Sequence, residues 1–265
     1  MLSFNAFFQN KEYERFQSII INYLSANIPL IVLFIFSIIL THILLNTSVI
    51  AMVRDKKYEI KVYVLTILIT ASVLLPFTFL FNKSIAFESS TTILEKIYIA
   101  FIVLIITPLQ CFSEEYLFRV SFARLFNSNN MITKILLSIF SGIIFLLAHM
   151  FSNPEFQIAS SFLLYFYYFQ FGFLSMLLGL CLEDFSFAII IHSINNLFSI
   201  IICGYIGSPL ESAPFFISSQ IPSPLLSNIA LCVIFALTYF CVKKNLGRNW
   251  CQRKRKLQKL RSIDY

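Results

Sequence analysis

Long apolar stretches fill most of the chain, and short polar segments separate them. Most of these stretches reach the roughly 20 residues that an α-helix needs to cross a bilayer. The pattern predicts membrane helices at about 28–53, 60–81, 93–126, 132–151, 158–182, 185–205 and 225–242. We therefore predict an all-α fold, a polytopic membrane bundle of about seven transmembrane helices.

A single transmembrane domain, residues 28–242, accounts for all of these helices. Residues 1–27 mix aromatic and charged side chains and are predicted to lie at the membrane interface. Residues 243–265 form a basic tail. Composition agrees with this division, because 12% of the residues are charged and 58% are hydrophobic, whereas a soluble protein is about a quarter charged.

The distribution of positive charge predicts the orientation of the bundle. Nine of the 20 Lys and Arg residues follow the last apolar stretch. If that tail is cytoplasmic and seven helices alternate, the N-terminus lies outside and 16 of the 20 basic residues lie inside, as the positive-inside rule requires. We expect the tail to contact anionic lipids of the inner leaflet. No recognition motif accompanies the charge, so we expect no nucleic-acid partner.

Charged residues interrupt the third apolar stretch, at FSEEYLFRVSFAR. Ionisable groups are costly at membrane depth, so such a cluster indicates a functional site. Glu115 and Arg119 are four residues apart and share one helix face, where they can pair. Glu114 lies about 100° around the helix and can point elsewhere. The alternative interpretation is a set of ordinary intrahelical ion pairs at the membrane edge.

His149 is predicted to approach Glu114. The turn at 127–130 makes the third and fourth helices an antiparallel hairpin. Glu114 precedes this turn by about 13 residues and His149 follows it by about 19, which places them some 20 and 28 Å along their helices. A buried Glu that faces a buried His is a general acid–base arrangement.

His192 and Asn196 are also four residues apart, in IIIHSINNLF, and share one face of the sixth helix. Together these groups suit the hydrolysis of an amide. Glu114 would take a proton from water, His149 would help hold that water, and His192 with Asn196 would bind the oxyanion. Alternatively, Glu114 and the two histidines could form a zinc site. The sequence alone does not separate these two routes.

The chain resembles the CPBP family of intramembrane proteases (CAAX proteases and bacteriocin-processing enzymes, also called Abi). Three motifs between about 112 and 198 carry the resemblance: Glu114-Glu115-x-x-x-Arg119, Phe145-x-x-x-His149 and His192-x-x-x-Asn196. The resemblance implies a catalytic core at about 93–205. It also implies an endopeptidase that acts on a membrane-associated peptide, such as a prenylated CAAX-type or leader peptide.

The resemblance assigns a role to each motif residue. Glu114 would activate water, and Glu115 with Arg119 would be a supporting pair. Phe145 would shape the cavity. A glutamate-driven reaction without a metal cofactor is favoured, and zinc is the alternative. Some relatives are not proteases, so the alternative function is a bacteriocin self-immunity protein, scaffold or transporter that uses the same polar cavity for binding. We expect the cell (inner) membrane, with the endoplasmic reticulum as the alternative.

Overall fold

A computed structural model describes residues 11–82, 84–126, 130–151, 155–158, 161–205, 208 and 213–261. Its helices are α1 Lys11–Leu45, α2 Val49–Val53, α3 Ile60–Phe81, α4 Ile93–Glu115, α5 Ser121–Leu125, α6 Met131–Met150, α7 Glu155–Ile158, α8 Phe162–Leu182, α9 Ser186–Leu197 and α10 Pro224–Arg261. π-helical turns follow α4 and α9, at Tyr116–Val120 and Phe198–Ile202. Three short strands complete the fold: β1 Ile85–Phe87, β2 Cys203–Tyr205 and β3 Phe216–Ser218.

Six of the helical segments in the described part of the chain are long and apolar enough to cross a membrane. They are Phe16–Ile43, Ile60–Phe81, Ile93–Leu125, Met131–Met150, Phe162–Leu182 and Pro224–Asn245. The predicted all-α membrane bundle is thereby confirmed, and its count of seven crossings remains a prediction. The predicted sixth helix is the short one, Ser186–Ile202, because the chain turns into a strand at Cys203.

The first helix differs from its predicted bounds of 28–53. It begins at Lys11 and ends at Leu45. Residues 11–27, which were predicted to lie at the membrane interface, therefore belong to this helix. Residues 1–10 lie outside the described residues. Tyr23 on this segment is buried and its hydroxyl lies 2.6 Å from that of Thr107 on α4. The helix ends before Asn46, which has a φ of 49°, a left-handed conformation that Asn tolerates better than most residues.

Loops from distant parts of the chain meet at one end of the bundle, which we call the inner end. Lys56 pairs with Glu183 at 2.8 Å, and Arg124 pairs with Asp55 at 2.7 Å. The C-terminal end of α5, which carries Arg124, belongs to the same end. The predicted turn at 127–130 falls largely outside the described residues. These contacts join the loops that the positive-inside argument assigns to the cytoplasm.

A three-stranded sheet lies at the opposite, outer end, about 33 Å away along the 22 residues of α3. β3 pairs antiparallel with β1 and parallel with β2. The sequence predicts loops at β1 and β3 and the end of the sixth helix at β2, because three-residue strands are too short to show an alternating pattern. Lys96, which is 1% exposed, joins two of these loops: it donates to the carbonyl oxygen of Glu88 and, at 3.1 Å, to that of Pro214.

Close packing of α6 on α8 positions the helix that carries His149. At Gly172 an added Cβ would lie 2.8 Å from the Cβ of Phe145 and 2.9 Å from the Cα of Gly142. Only a residue without a side chain permits this approach, which is typical of membrane helix interfaces. α9 packs on α3 and α4, so that His192 and Glu114 face the same interior space.

Candidate active site

The last turn of α4 places two adjacent glutamates inside the bundle. Glu114 is 4% exposed and Glu115 is fully buried. Gln110, one turn earlier on α4, donates from Nε2 to Glu114 Oε1. The other carboxylate oxygen, Glu114 Oε2, lies 3.9 Å from His149 Nε2 and 3.8 Å from His192 Nε2. Three residues predicted from separate helices therefore converge on one point.

Glu115 makes a different set of contacts. Its Oε1 accepts a hydrogen bond from Arg119 Nη1 at 2.5 Å and lies 2.9 Å from His192 Nδ1. The structure thus contains the ion pair that the four-residue spacing predicts, and it adds a histidine contact that the spacing did not show. A carboxylate oxygen can only accept, so Nδ1 of His192 carries the hydrogen. Glu115 and Arg119 consequently orient His192 with Nε2 toward Glu114.

His149 is oriented by the backbone of its own helix. Its Nδ1 lies 2.8 Å from the carbonyl oxygen of Phe145, which also can only accept, so Nδ1 carries the hydrogen. The centroids of the Phe145 and His149 rings lie 4.1 Å apart. The Arg119 guanidinium lies 4.5 Å from the centroid of the Phe145 ring, within the range of a cation–π contact. Phe145 therefore packs between the supporting arginine and the histidine, consistent with its predicted role in shaping the cavity.

The contacts around Glu114 Oε2 suit a bound water. This oxygen is buried and accepts no hydrogen bond from the described protein groups. Separations of 3.8 and 3.9 Å exceed a direct hydrogen bond. A water at about 2.8 Å from each atom would bridge such a gap. The site can therefore hold a water between a carboxylate and two imidazole nitrogens.

Asn196 lies one turn beyond His192 on α9. Its Nδ2 donates to Cys111 Sγ at 3.5 Å, and its side chain lines the same cavity as Glu114. One Nδ2 hydrogen remains for another acceptor, because an amide nitrogen carries two. The structure thus places Asn196 at the wall of the cavity that Glu114 also lines.

A cavity of about 540 Å³ contains these groups. Helices α1, α3, α4 and α6 to α10 line it, together with the outer loops. Apolar side chains such as Phe77, Phe171 and Leu231 form much of its wall. A cavity with mostly apolar walls and a few converging polar groups is typical of a ligand site.

The sequence did not reveal two cavity residues, Gln110 and Glu155, or the buried Cys111 that contacts Asn196. Gln110 had a usable signal, since it precedes Glu114 by four residues and shares its helix face. Cys111 is fully buried, and nothing in its spacing distinguishes it from the cysteines that fill other apolar helices. Glu155 reaches the cavity only because α7 folds back against α8, which no local pattern reveals.

In the part of the chain that the structure describes, no group of three His, Cys, Asp or Glu side chains is arranged to hold a metal ion. The alternative zinc set of Glu114, His149 and His192 does not meet that arrangement.

Comparison with known proteins adds one match. Residues 96–198 match the family model described as type II CAAX prenyl endopeptidase Rce1-like. This segment contains all seven residues that the sequence analysis assigned to the site. No curated protein and no solved structure matches the chain. The Rce1-like domain at residues 96–198 supports membership of the chain in the CAAX protease family.

Proposed function

We propose that the protein is an intramembrane endopeptidase that hydrolyses a peptide bond of a membrane-associated peptide. The observation that carries this proposal is the position of Glu114 Oε2, which faces two imidazole nitrogens at 3.8 and 3.9 Å inside the cavity. The Rce1-like segment implies a protease, and the integral membrane bundle places the cavity among apolar helices. A prenylated CAAX-type peptide and a leader peptide are the two substrate classes proposed.

The first step is attack by water. Water held between Glu114 and His149 gives a proton to Glu114 Oε2 while its oxygen bonds to the carbonyl carbon of the substrate. The carbonyl oxygen becomes an oxyanion. Asn196 Nδ2 donates a hydrogen bond to it, as does His192 when its Nε2 carries a hydrogen.

The second step is release of the amine. The proton held by Glu114 passes to the leaving nitrogen as the C–N bond breaks, and the oxyanion returns to a carbonyl. The products are one new carboxyl group and one new amine, so one water is consumed per bond cleaved. Throughout, Glu115 and Arg119 maintain the orientation of His192 and do not contact the reacting atoms.

A cleavage assay of the full-length protein in lipid nanodiscs tests this proposal, with a panel of membrane-tethered and lipidated peptides. We expect cleavage by wild type and a loss of about 10²–10⁴-fold in Glu114→Gln, the range for removal of a general base. Glu183→Gln, at the inner end, is the matched control and should cleave normally. Thermal unfolding of each variant shows whether the fold is retained.

A chelator arm separates the two chemical routes. Cleavage that persists in chelator supports the glutamate-driven route. Activity that is lost in chelator and restored by zinc would instead assign Glu114, His149 and His192 to a metal site. Peptides that bind wild type and Glu114→Gln equally, with no cleavage by either, would favour the non-proteolytic alternative.

A further inference from the structure

The outer end of the cavity carries a second buried carboxylate. Glu155 begins α7, is 3% exposed and lines the cavity. Tyr168 on α8 donates to its Oε1, and Tyr205 on β2 donates to its Oε2 at 2.5 Å. Burial and the neighbouring Glu155 carboxylate raise the pKa of Tyr205 well above its ordinary value, so this hydroxyl keeps its proton. Two tyrosines from different elements thus hold the carboxylate in a defined position.

Tyr168 also connects Glu155 to the reaction centre. Its ring lies 5.0 Å from the ring of His149, and His149 Nε2 lies 3.9 Å from Glu114 Oε2. The Tyr168 side chain therefore lies between Glu155 and His149, which with Glu114 is proposed to hold the water. A long side chain on a substrate residue close to the scissile bond could reach this far.

The basic side chains that line the described part of the cavity are the histidines His149 and His192. No Lys or Arg lines it in the described part of the chain, and the sequence from Ile135 to Val242 contains neither residue. At the outer end, the buried Lys96 pairs with Glu88 at 2.9 Å, so its charge is already compensated. Lys83 lies outside the described residues.

Two carboxylates in such a cavity attract cations and repel anions. Glu155 and Glu114 both line it, and Glu114 Oε2 is buried, directed into it and without a hydrogen-bond partner among the described protein groups. Charges interact more strongly in a space that excludes water than they do in bulk solvent. A cationic side chain that enters the cavity loses its hydration, and a fixed carboxylate compensates for that loss. A free carboxylate would meet repulsion instead.

We propose that Glu155 is the centre of a cation-recognising subsite, which binds the Lys or Arg side chain of a substrate residue near the scissile bond. The inference rests on the proposed function, because it names a substrate feature for the same cavity. It makes Glu155 a specificity-determining residue that takes no part in bond cleavage.

The test uses three acyl-anchored peptides that differ at one position, where they carry Lys, norleucine or Glu. This position is moved stepwise along the peptide. The full-length protein is reconstituted in phosphatidylcholine vesicles, which are neutral and do not themselves attract cationic peptides. Binding is measured by fluorescence anisotropy on Glu114→Gln protein, and cleavage is measured on protein that retains Glu114. Each measurement is repeated with Glu155→Gln.

We expect the Lys peptide to bind about 10-fold more tightly than the norleucine peptide at one position, the scale of one charge-assisted hydrogen bond. Glu155→Gln should reduce this ratio to about 2-fold or less and leave norleucine binding unchanged. Tyr205→Phe keeps the carboxylate and should retain the preference for Lys. Glu183→Gln removes a carboxylate at the inner end and should also retain it.

Two outcomes would overturn the subsite: equal binding of Lys and norleucine peptides at every position, or a Lys preference that Glu155→Gln leaves intact. The proposed function fails separately. A Glu155-dependent preference in binding without cleavage of any peptide would support the subsite and count against the protease. Cleavage without a Lys preference would support the protease and overturn the subsite.

Discussion

Two adjacent glutamates on α4 have different partners because successive residues on a helix point about 100° apart. Glu115 faces Arg119 and His192 Nδ1, and both of its contacts are to Oε1. Glu114 keeps Oε2 directed at two imidazole nitrogens. One carboxylate is thereby used for orientation and the other remains available to accept a proton.

Removal of Arg119 tests the supporting pair. We expect Arg119→Ala to lower the free energy of unfolding by about 3–5 kcal/mol, since it leaves the buried Glu115 carboxylate without its partner. Glu115→Gln/Arg119→Met, which removes both charges, should be less destabilised than the single variant. Unfolding in detergent, followed by circular dichroism, measures both. An Arg119→Ala protein as stable as wild type would contradict a structural role for the pair.

At the scale of elements, the site depends on how closely α6 approaches α8. Gly172 faces Phe145, which lies one turn before His149 on α6. Because the nearest atoms include the backbone of Gly142, no side-chain rotation can make room for a methyl group. The two helices would have to separate, and His149 would move away from Glu114.

We therefore expect Gly172→Ala to lose most cleavage activity and about 1–3 kcal/mol of stability, the usual cost of overpacking. Ser175→Ala, on the same helix, is the matched control. Ser175 is buried and its hydroxyl has no hydrogen-bond partner among the described groups, so this change should leave both quantities near wild type. Equal activity in Gly172→Ala and wild type would show that the helices can separate without loss of the site geometry.

The outer loops depend on Glu88. Burial alone would raise the pKa of this carboxyl, but hydrogen bonds from Ser90, Thr91 and Lys96 lower it from 4.5 to about 2. A pKa lowered by folding means that the group stabilises the fold above about pH 4.5, and that this stabilisation is lost as the pH falls toward 2.

Thermal unfolding between pH 6 and pH 3 checks this expectation. Wild type should lose stability as the pH falls below about 4.5, and Glu88→Gln should begin less stable and show a shallower pH dependence. Glu59→Gln, which changes an exposed ion pair with Lys61, should follow wild type. A Glu88→Gln curve parallel to that of wild type would remove Glu88 from this role.

At the scale of the whole molecule, the contacts divide the loops into two groups. The basic loop after α2 meets Glu183 and Asp184 at the inner end, and the strands meet at the outer end. The segment Ser186–Ile202 must therefore run between the two ends, although it is shorter than the other crossing helices. This arrangement supports the proposal of seven crossings with a cytoplasmic tail.

Cysteine labelling tests that topology in a background without the native cysteines. We expect Ser90→Cys and Ser219→Cys to react with an impermeant reagent in intact cells. Lys57→Cys and Lys256→Cys should react only after the membrane is opened. Labelling of Lys57→Cys and Ser90→Cys from the same side would contradict a crossing by α3, and a reversed pattern would place the tail outside.

The predicted contact of the basic tail with anionic lipid remains a proposal. α10 continues as a helix through Arg261, and the side chains beyond Asn245 lie outside the described residues. The charge itself is a property of the sequence, and surface charge of this sign attracts anionic headgroups.

The amino-acid sequence is enough to specify the membrane-bundle class, because apolar length and scarce charge leave few other folds for the backbone. It also determined the pairing of Glu115 with Arg119, since a four-residue spacing on one helix fixes which side chains can meet. The approach of Glu114 and His149 followed from helix rise and one turn. These inferences depend only on distances along single helices or one hairpin.

The remaining contacts depend on how the helices pack against one another. His192 Nδ1 meets Glu115 while its Nε2 faces Glu114, and this depends on the rotation of α9 against α4. Glu155 enters the cavity because residues 13 and 50 positions away supply its tyrosine partners. Helix periodicity specifies which face of a helix is buried. It specifies neither the neighbouring helix that covers this face nor the rotation at which the two helices pack, because both depend on side-chain shape over the whole bundle.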